Sequence, residues 1–324
     1  MRTHAIRIHE TGGPEVLRWE ELEVAAPGPG EVLLRQTAVG LNFIDTYHRT
    51  GLYPLELPTV LGREAAGVVE EVGPEVDGFK PGDRAAYALF PGSYTELRSI
   101  PAAQLVPLPD HVDERTAAAV MLKGLTAHYL LRRTHEVQPG ETILIHAAAG
   151  GVGLIACQWA KHLGATVLGT VGSEAKAELA RAHGCDHPIL YDREDFVARV
   201  HELTDGRGVP VVYDSVGAAT FERSRDCLAP LGLMVSFGNS SGAVPPQDLG
   251  VLAKKGSLFV TRPTLATYIA KREDLLAAAS ELFEAMRAGG IRVEVNQSYP
   301  LADAARAHTD LEARRTTGST LLLP

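Results

Sequence analysis

Apolar positions change their spacing once along this chain. Up to about residue 124 they come in short β-type runs, such as Val32-Leu33-Leu34, Gly67-Val68-Val69 and Ala85-Ala86-Tyr87. PGPGE (Pro27 to Glu31) and KPGDR (Lys80 to Arg84) break them up. Such runs predict a compact, partly antiparallel β domain. From Thr116 to Thr134 the period becomes helical, through Ala119, Val120, Leu122, Leu125, Thr126, Tyr129 and Leu130, and the crossing between two domains is placed in this helix near Gly124. Strands and helices then alternate. The strands are expected at 142–147, 166–170, 188–190, 210–214, 231–237 and 257–261, and the helices at 151–163, 174–183, 193–204 and 219–228. Six parallel strands with covering helices make a doubly wound α/β sheet, a Rossmann domain over 125–263. Past Arg262-Pro263 the alternation stops. A helix from about Lys271 to Ala288 follows, with Leu275, Leu276, Ala279, Leu282 and Phe283 on one face and Gly289-Gly290 ending it.

The stretch Glu141 to Lys176 carries the clearest chemistry. An apolar strand, Ile143-Leu144-Ile145, runs into Ala148-Ala149-Gly150-Gly151-Val152-Gly153 and a helix. Gly150 lets the main chain approach a pyrophosphate, Gly153 lets the helix pack on the strand, and the helix N-terminus presents free N–H groups. Ala148 stands where the strict G-x-G-x-x-G pattern has its first glycine. An NAD-binding fold has an acid near the end of the second strand. Here that slot reads Val171-Gly172-Ser173, with Lys176 one turn on, and a hydroxyl with an ammonium suits the 2′-phosphate of NADPH. Ser173 also reads as a helix N-cap, and Glu174 as a dipole partner. Other expected cofactor contacts lie at strand ends, at Ser215, Val216, Phe237, Gly238, Ser240 and Ser241. Thr126 is expected beside the nicotinamide.

Bulk properties narrow the partners. A length of 324 residues suits two domains, and a net charge of −9 argues against nucleic acid or an acidic membrane surface. No apolar run is long enough to span a bilayer, so no membrane insertion is expected. The first residues read as a strand and not as an apolar leader. Three scattered cysteines, Cys157, Cys185 and Cys227, suggest a reducing compartment, the cytoplasm.

Gly140, Glu141, Leu144, Ala148, Ala149, Gly150, Gly151, Gly153, Gln158 and Lys161 together resemble the signature of the quinone oxidoreductase/zeta-crystallin group of the medium-chain dehydrogenase/reductase superfamily. The resemblance extends from GGPEVL (Gly12 to Leu17) through NFIDTY (Asn42 to Tyr47) and YDSVG (Tyr213 to Gly217) to SFGNSSG (Ser236 to Gly242). It implies a GroES-like catalytic domain of 1–124 plus 264–324, a cofactor-side position for Asn42, an adenosine contact for Tyr191, and a homodimer through strand 257–261. His308 and Arg314 match a C-terminal motif without an assigned role. In zinc-dependent relatives a cysteine stands at the place of Asn42 and a histidine at that of Arg63. With no C-x-x-C, and only Asp45 and Glu64 nearby, no metal is expected. Without a Lewis acid, a quinone or an activated enone is a better acceptor than an alcohol is a donor. Asn42, Tyr47 and Tyr53 are the candidate hydrogen-bond donors to it. The expected activity is NADPH-dependent quinone reduction, with enone or 2-alkenal reduction as the alternative. A crystallin-like structural or RNA-binding role is the non-enzymatic one.

Overall fold

The computed structural model describes all residues, Met1 to Pro324. The chain forms two compact units: Met1–Leu125 with Ile269–Phe283 and Val293–Pro324, and Thr126–Tyr268 with Glu284–Arg292. The boundary falls inside helix α2 (Glu114–Tyr129), between Leu125 and Thr126. The segment after 263 does not return to the first unit as one block, because 264–268 and Glu284–Arg292 stay with the second.

The first unit contains β1 (Arg2–Ile8), β2 (Arg18–Glu23), β3 (Glu31–Leu41), β4 (Thr59–Val60), β5 (Glu64–Val72), β6 (Arg84–Ala88), β7 (Leu97–Pro101) and β8 (Val106–Pro107). From the chain end it adds β15 (Val295–Pro300) and β16 (Ser319–Leu323). A sheet of order β15-β16-β3-β5-β6-β8, with β7 also on β3, and a smaller sheet β2-β1-β4 surround one core. Only the β15–β16 pair is parallel. Strand β3 is the hub. Its Val32, Leu34, Val39 and Leu41 enter the core, and it runs directly into helix α1 (Phe43–Arg49). Helix α10 (Ala304–Glu312) seats Ala304 and Ala307 in the same core.

The second unit is a parallel sheet of β9 (Thr142–Ile145), β10 (Thr166–Val171), β11 (His187–Leu190), β12 (Val209–Asp214), β13 (Leu228–Ser236) and β14 (Phe259–Thr261). Its order is β11-β10-β9-β12-β13-β14, every pair parallel. The strand order therefore reverses between β9 and β12, where open α/β sheets bind ligands at their carboxyl ends. Helices α3 (Gly151–His162), α4 (Glu174–Ala182) and α5 (Phe196–Leu203) start within three residues of the expected positions. Short helices α6 (Phe221–Ser224), α7 (Gly250–Lys254) and α8 (Leu265–Tyr268) follow, and α9 (Arg272–Arg287) is shared between the units.

Two expectations are corrected. The helix expected over 219–228 shrinks to α6 and a 3₁₀ turn, Arg225–Cys227. The buried carboxylate of Asp214 ties the preceding loop down instead, accepting from the main chains of Val216 and Gly217 (2.7 and 3.0 Å) and from Thr220 Oγ1 (2.7 Å). The outer strand expected over 257–261 is only Phe259–Thr261. Ser257 lies at φ 57°, and Leu258 turns inward, its N–H donating to the carbonyl of Leu252 (3.1 Å).

Candidate cofactor and active site

The turn after β9 passes through Ala147 at φ 55° to Gly150, the N-cap of α3. No side chain caps this helix, so the N–H groups of its first turn, Gly151, Val152 and Gly153, are available to an anion. A Cβ on Gly153 would overlap the Ala147 carbonyl oxygen and stand 2.8 Å from the Ala148 carbonyl carbon. That glycine seats the helix on the turn. A Cβ on Gly150 would meet only Ala147 O, at 3.2 Å, so the main chain is open on that side. Ala148 and Ala149 are buried beneath the turn. The geometry fits a pyrophosphate.

A buried polar layer holds the neighbouring strand ends in place. Asp214 Oδ2 accepts from Ser224 Oγ (3.1 Å), and His146 bridges Ser224 Oγ (2.9 Å, through Nε2) and Thr170 Oγ1 (2.8 Å, through Nδ1). Burial lowers the pKa of His146, which keeps the ring neutral. This histidine joins β9, β10 and β12 and is not a ligand.

At the end of β10 the structure brings together Gly172, Ser173, Lys176 and Tyr191. Ser173 caps α4, its Oγ accepting from Lys176 N–H at 3.3 Å, which leaves its own O–H proton to donate. A Cβ on Gly172 would meet Tyr191 Oη at 2.7 Å, so the glycine admits the phenol. Glu174 pairs with Arg193 at 3.2 Å. One acid was missed. Asp192 Oδ2 lies 3.7 Å from that same Gly172 Cβ position. It follows β11, which pairs with β10 in parallel register (Val171↔Leu190), and that pairing brings a residue twenty positions away to the slot.

Beyond β12 and β13 the loops interlock. A Cβ on Gly238 would overlap Ser215 O, Ser240 N–H donates to Ser215 O (3.2 Å), and Ser241 N–H donates to Val216 O (2.8 Å). Ser241 Oγ donates to Val216 O (2.7 Å) and accepts from Ala219 N–H (3.0 Å), so this serine stitches the loops. Phe237 N–H donates to Asp214 O (2.8 Å), and Thr126 is buried on α2.

In the first unit, Asn42 is the N-cap of α1, its N–H donating to Asp45 Oδ2 at 2.9 Å. Its amide nitrogen donates to Glu64 Oε2 (2.8 Å), which also takes Lys123 Nζ (2.8 Å), while Glu64 Oε1 accepts from Leu122 N–H (2.6 Å). The expectation that Asn42 donates to a substrate oxygen is therefore revised, because its nitrogen faces a carboxylate. Lys123 escaped notice in the sequence. Its signal was a lysine inside the apolar run Ala117 to Leu125, which requires a buried counter-charge. Tyr47 and Tyr53 do come together, with ring centroids 5.2 Å apart and edge to face. Arg63 donates to Leu89 O (2.8 Å) and to His48 Nε2 (2.9 Å). Since arginine only donates, His48 carries its proton on Nδ1, and that N–H donates to Tyr53 O (3.2 Å).

His308 lies on α10 and is wholly buried. Its Nδ1 faces Arg49 Nη1 (3.1 Å) and its Nε2 faces Tyr94 Oη (3.0 Å), which donates to Asp45 Oδ2 (3.0 Å). Arg49 also grips Glu312 with two bonds, 2.9 and 2.7 Å. Because arginine donates, the chain runs Arg49 to His308 to Tyr94 to Asp45. Burial drives the pKa of Asp45 up to about 7, and burial followed by the Arg49 charge drives that of His308 down to about 3. Arg314 ends the α10 turn at φ 59°. No group of three or more His, Cys, Asp or Glu side chains is arranged to hold a metal ion.

The alcohol dehydrogenase GroES-like domain family matches residues 28–110, and the zinc-binding dehydrogenase family matches 151–284. A quinone oxidoreductase of Pseudomonas aeruginosa is 60% identical over 321 residues, 98% of this chain and 99% of that protein. The chain belongs to the quinone oxidoreductase group of the medium-chain dehydrogenase/reductase superfamily. Within this group, the crystal structure of Escherichia coli quinone oxidoreductase complexed with NADPH superposes with a TM-score of 0.97. It is 53% identical and covers 99% of this chain and 100% of its own. A 2-haloacrylate reductase of Burkholderia sp. is 49% identical over 328 residues, 98% of both chains.

Proposed function

We propose that the protein is an NADPH-dependent quinone reductase that passes reducing equivalents from the nicotinamide to a quinone without a metal. The observation that carries this reading is the uncapped, glycine-gated start of α3 beside Ser173, Lys176 and Tyr191, in a chain whose fold matches a quinone oxidoreductase complexed with NADPH at a TM-score of 0.97. The first-turn amides Gly151 to Gly153 receive the pyrophosphate, with Ala149 and Gly150 leaving the approach open. Gly172, Ser173, Lys176 and Tyr191 hold the 2′-phosphate end. Thr126, Ser215, Val216, Phe237, Gly238 and Ser240 complete the cofactor wall, and Ser241 braces it. Bound NADPH would supply the hydride.

Tyr47 and Tyr53 flank a flat acceptor, and their phenols are the donors nearest in kind to what a developing oxyanion needs. Metal independence rests on donor chemistry. Arg63 has no lone pair to give, and Asn42 directs its amide at Glu64. The likeness to a 2-haloacrylate reductase favours a second reading, in which the acceptor is an activated enone or 2-alkenal. The catalytic and nucleotide-binding roles fall to the first and second units respectively. A homodimer through β14 is supported by its open edge, with Phe259 60% and Val260 41% exposed. No helix is long and apolar enough to cross a membrane. Three free, buried cysteines suit the reducing cytoplasm.

The test is NADPH oxidation against a panel of quinones and enones, after exhaustive chelation. Turnover of quinones that survives chelation is expected. Stoichiometric zinc in the active protein, or no quinone turnover, would reject the reading.

A further inference from the structure

We propose that His48, its tautomer fixed by Arg63, is a positioning residue that holds the Tyr53 ring in place for the quinone acceptor. This rests on the reading of Tyr53 as a residue that flanks the acceptor.

Tyr53 stands in the loop from Thr50 to Pro58, between α1 and β4, where only Tyr53 and Leu55 are partly buried. An exposed loop of this kind has little packing to fix it. Its main chain is bonded to α1 at Tyr53 from both sides. Tyr53 N–H donates to Tyr47 O (3.0 Å), and Tyr53 O accepts from His48 Nδ1 (3.2 Å). The same two neighbours meet the ring edge to face, Tyr47 at 5.2 Å and His48 at 5.8 Å between centroids.

The bond from His48 depends on which ring nitrogen carries the proton. Arg63 settles that, because its Nη2 donates to His48 Nε2 (2.9 Å) and so requires a lone pair there. The other tautomer would set N–H against N–H on one side and a lone pair against Tyr53 O on the other. Burial and then the Arg63 charge lower the pKa of His48, which keeps the ring neutral. Arg63 is itself fixed by the sheet. Its Nη1 donates to Leu89 O (2.8 Å), and Leu89 N–H returns a bond to Arg63 O (2.6 Å), at the matched ends of β5 and β6. The line from the sheet through Arg63 and His48 to Tyr53 lies wholly within the first unit. Arg63 and His48 act on the acceptor only through Tyr53.

A double-mutant cycle tests this, with KM for a benzoquinone and the Kd for NADPH as readouts. His48→Leu keeps the bulk and removes both bonds. It should raise the quinone KM roughly three- to tenfold and leave the NADPH Kd within about twofold of wild type. His48→Asn keeps an N–H at the place of Nδ1, and its KM should stay within about twofold. Tyr53→Ala should raise KM by itself, and His48→Leu should then add almost nothing. If His48→Leu does not fold, Arg63→Met takes its place in the cycle, with an increase of about threefold that disappears in the Tyr53→Ala background. An unchanged KM in Tyr53→Ala overturns the reading of Tyr53, and this inference with it. If Tyr53→Ala raises KM, the inference alone is overturned by an unchanged KM in the His48 or Arg63 variant. A full further loss on top of Tyr53→Ala, a loss in His48→Asn as large as with leucine, or an equal loss of NADPH affinity does the same.

Discussion

Lys176 and Asp192 bring opposite charges to the same end of β10. The lysine attracts a 2′-phosphate, and the aspartate repels it while offering an acceptor to a 2′-hydroxyl. A charge-assisted contact contributes about 1.5–3 kcal/mol. Lys176→Ala should therefore weaken NADPH roughly ten- to a hundredfold and leave NADH nearly unchanged. Asp192→Asn should shift the kcat/KM ratio the other way, by a smaller factor, because this exposed carboxylate is screened by water. Steady-state kinetics with both cofactors and one quinone decide it, and a ratio indifferent to Lys176 would place the phosphate elsewhere. Asp45 and His308 make a second residue-scale case. Asp45, at about 7 in the fold against 3.8, keeps a proton that the unfolded chain loses, so its contribution to stability falls as pH rises from about 4 to 7. His308, at about 3 against 6.5, lacks a proton that the unfolded chain binds, so its contribution rises with pH between about 3 and 6.5 and is complete above that. The two slopes oppose each other between about 4 and 6.5. His308→Gln should remove the rising one and make stability lower at pH 6.5 than at pH 4.5, relative to wild type, by at most about 1.4 kcal/mol per pH unit. Urea unfolding at the two pH values measures the difference, and an unchanged profile would show that His308 titrates alike in the folded and unfolded chain.

Among the elements, the β9–α3 turn joins packing to binding through two glycines with different duties. Gly153→Ala drives a methyl into Ala147 O, and the helix must back off, at a cost of about 1–3 kcal/mol. Gly150→Ala meets the same oxygen only at 3.2 Å, so it should unfold closer to wild type. A thermal midpoint lowered more by Gly150→Ala than by Gly153→Ala would contradict this division. This turn was legible in the sequence because every part of it is local: an apolar strand, small residues, then a helical period. The region 219–228 was not. Its apolar spacing suggests a full helix, but the Asp214 carboxylate, buried by the sheet, gathers the amides of Val216 and Gly217 into a turn that leaves α6 only four residues. Propensity gave way to a buried charge that needed donors.

For the whole molecule, an open sheet edge with exposed apolar side chains predicts self-association. β14 pairs on one side only, with β13, and carries Phe259 and Val260 outward. Sedimentation should give a dimer at micromolar concentration, and Val260→Lys should shift it towards monomer. A monomeric wild type would reject this. By itself the sequence determined what depends on near neighbours: two domains with a crossing in one helix, the order of strand and helix in the second, and the glycine turn with Ser173 and Lys176 after it. Periodicity and turn chemistry are properties of adjacent residues, so they can be read without a fold. Only the tertiary structure decided which distant charges meet. Glu64 finds Lys123 because β5 lies against β3 and α2 packs there. Asp192 reaches Gly172 because β11 aligns with β10. His308, from the end of the chain, completes the line from Arg49 to Asp45 because α10 enters the first core. Partners for a buried ion are chosen by the sheet register and helix packing that exclude water around it, and neither is encoded in any short stretch of chain.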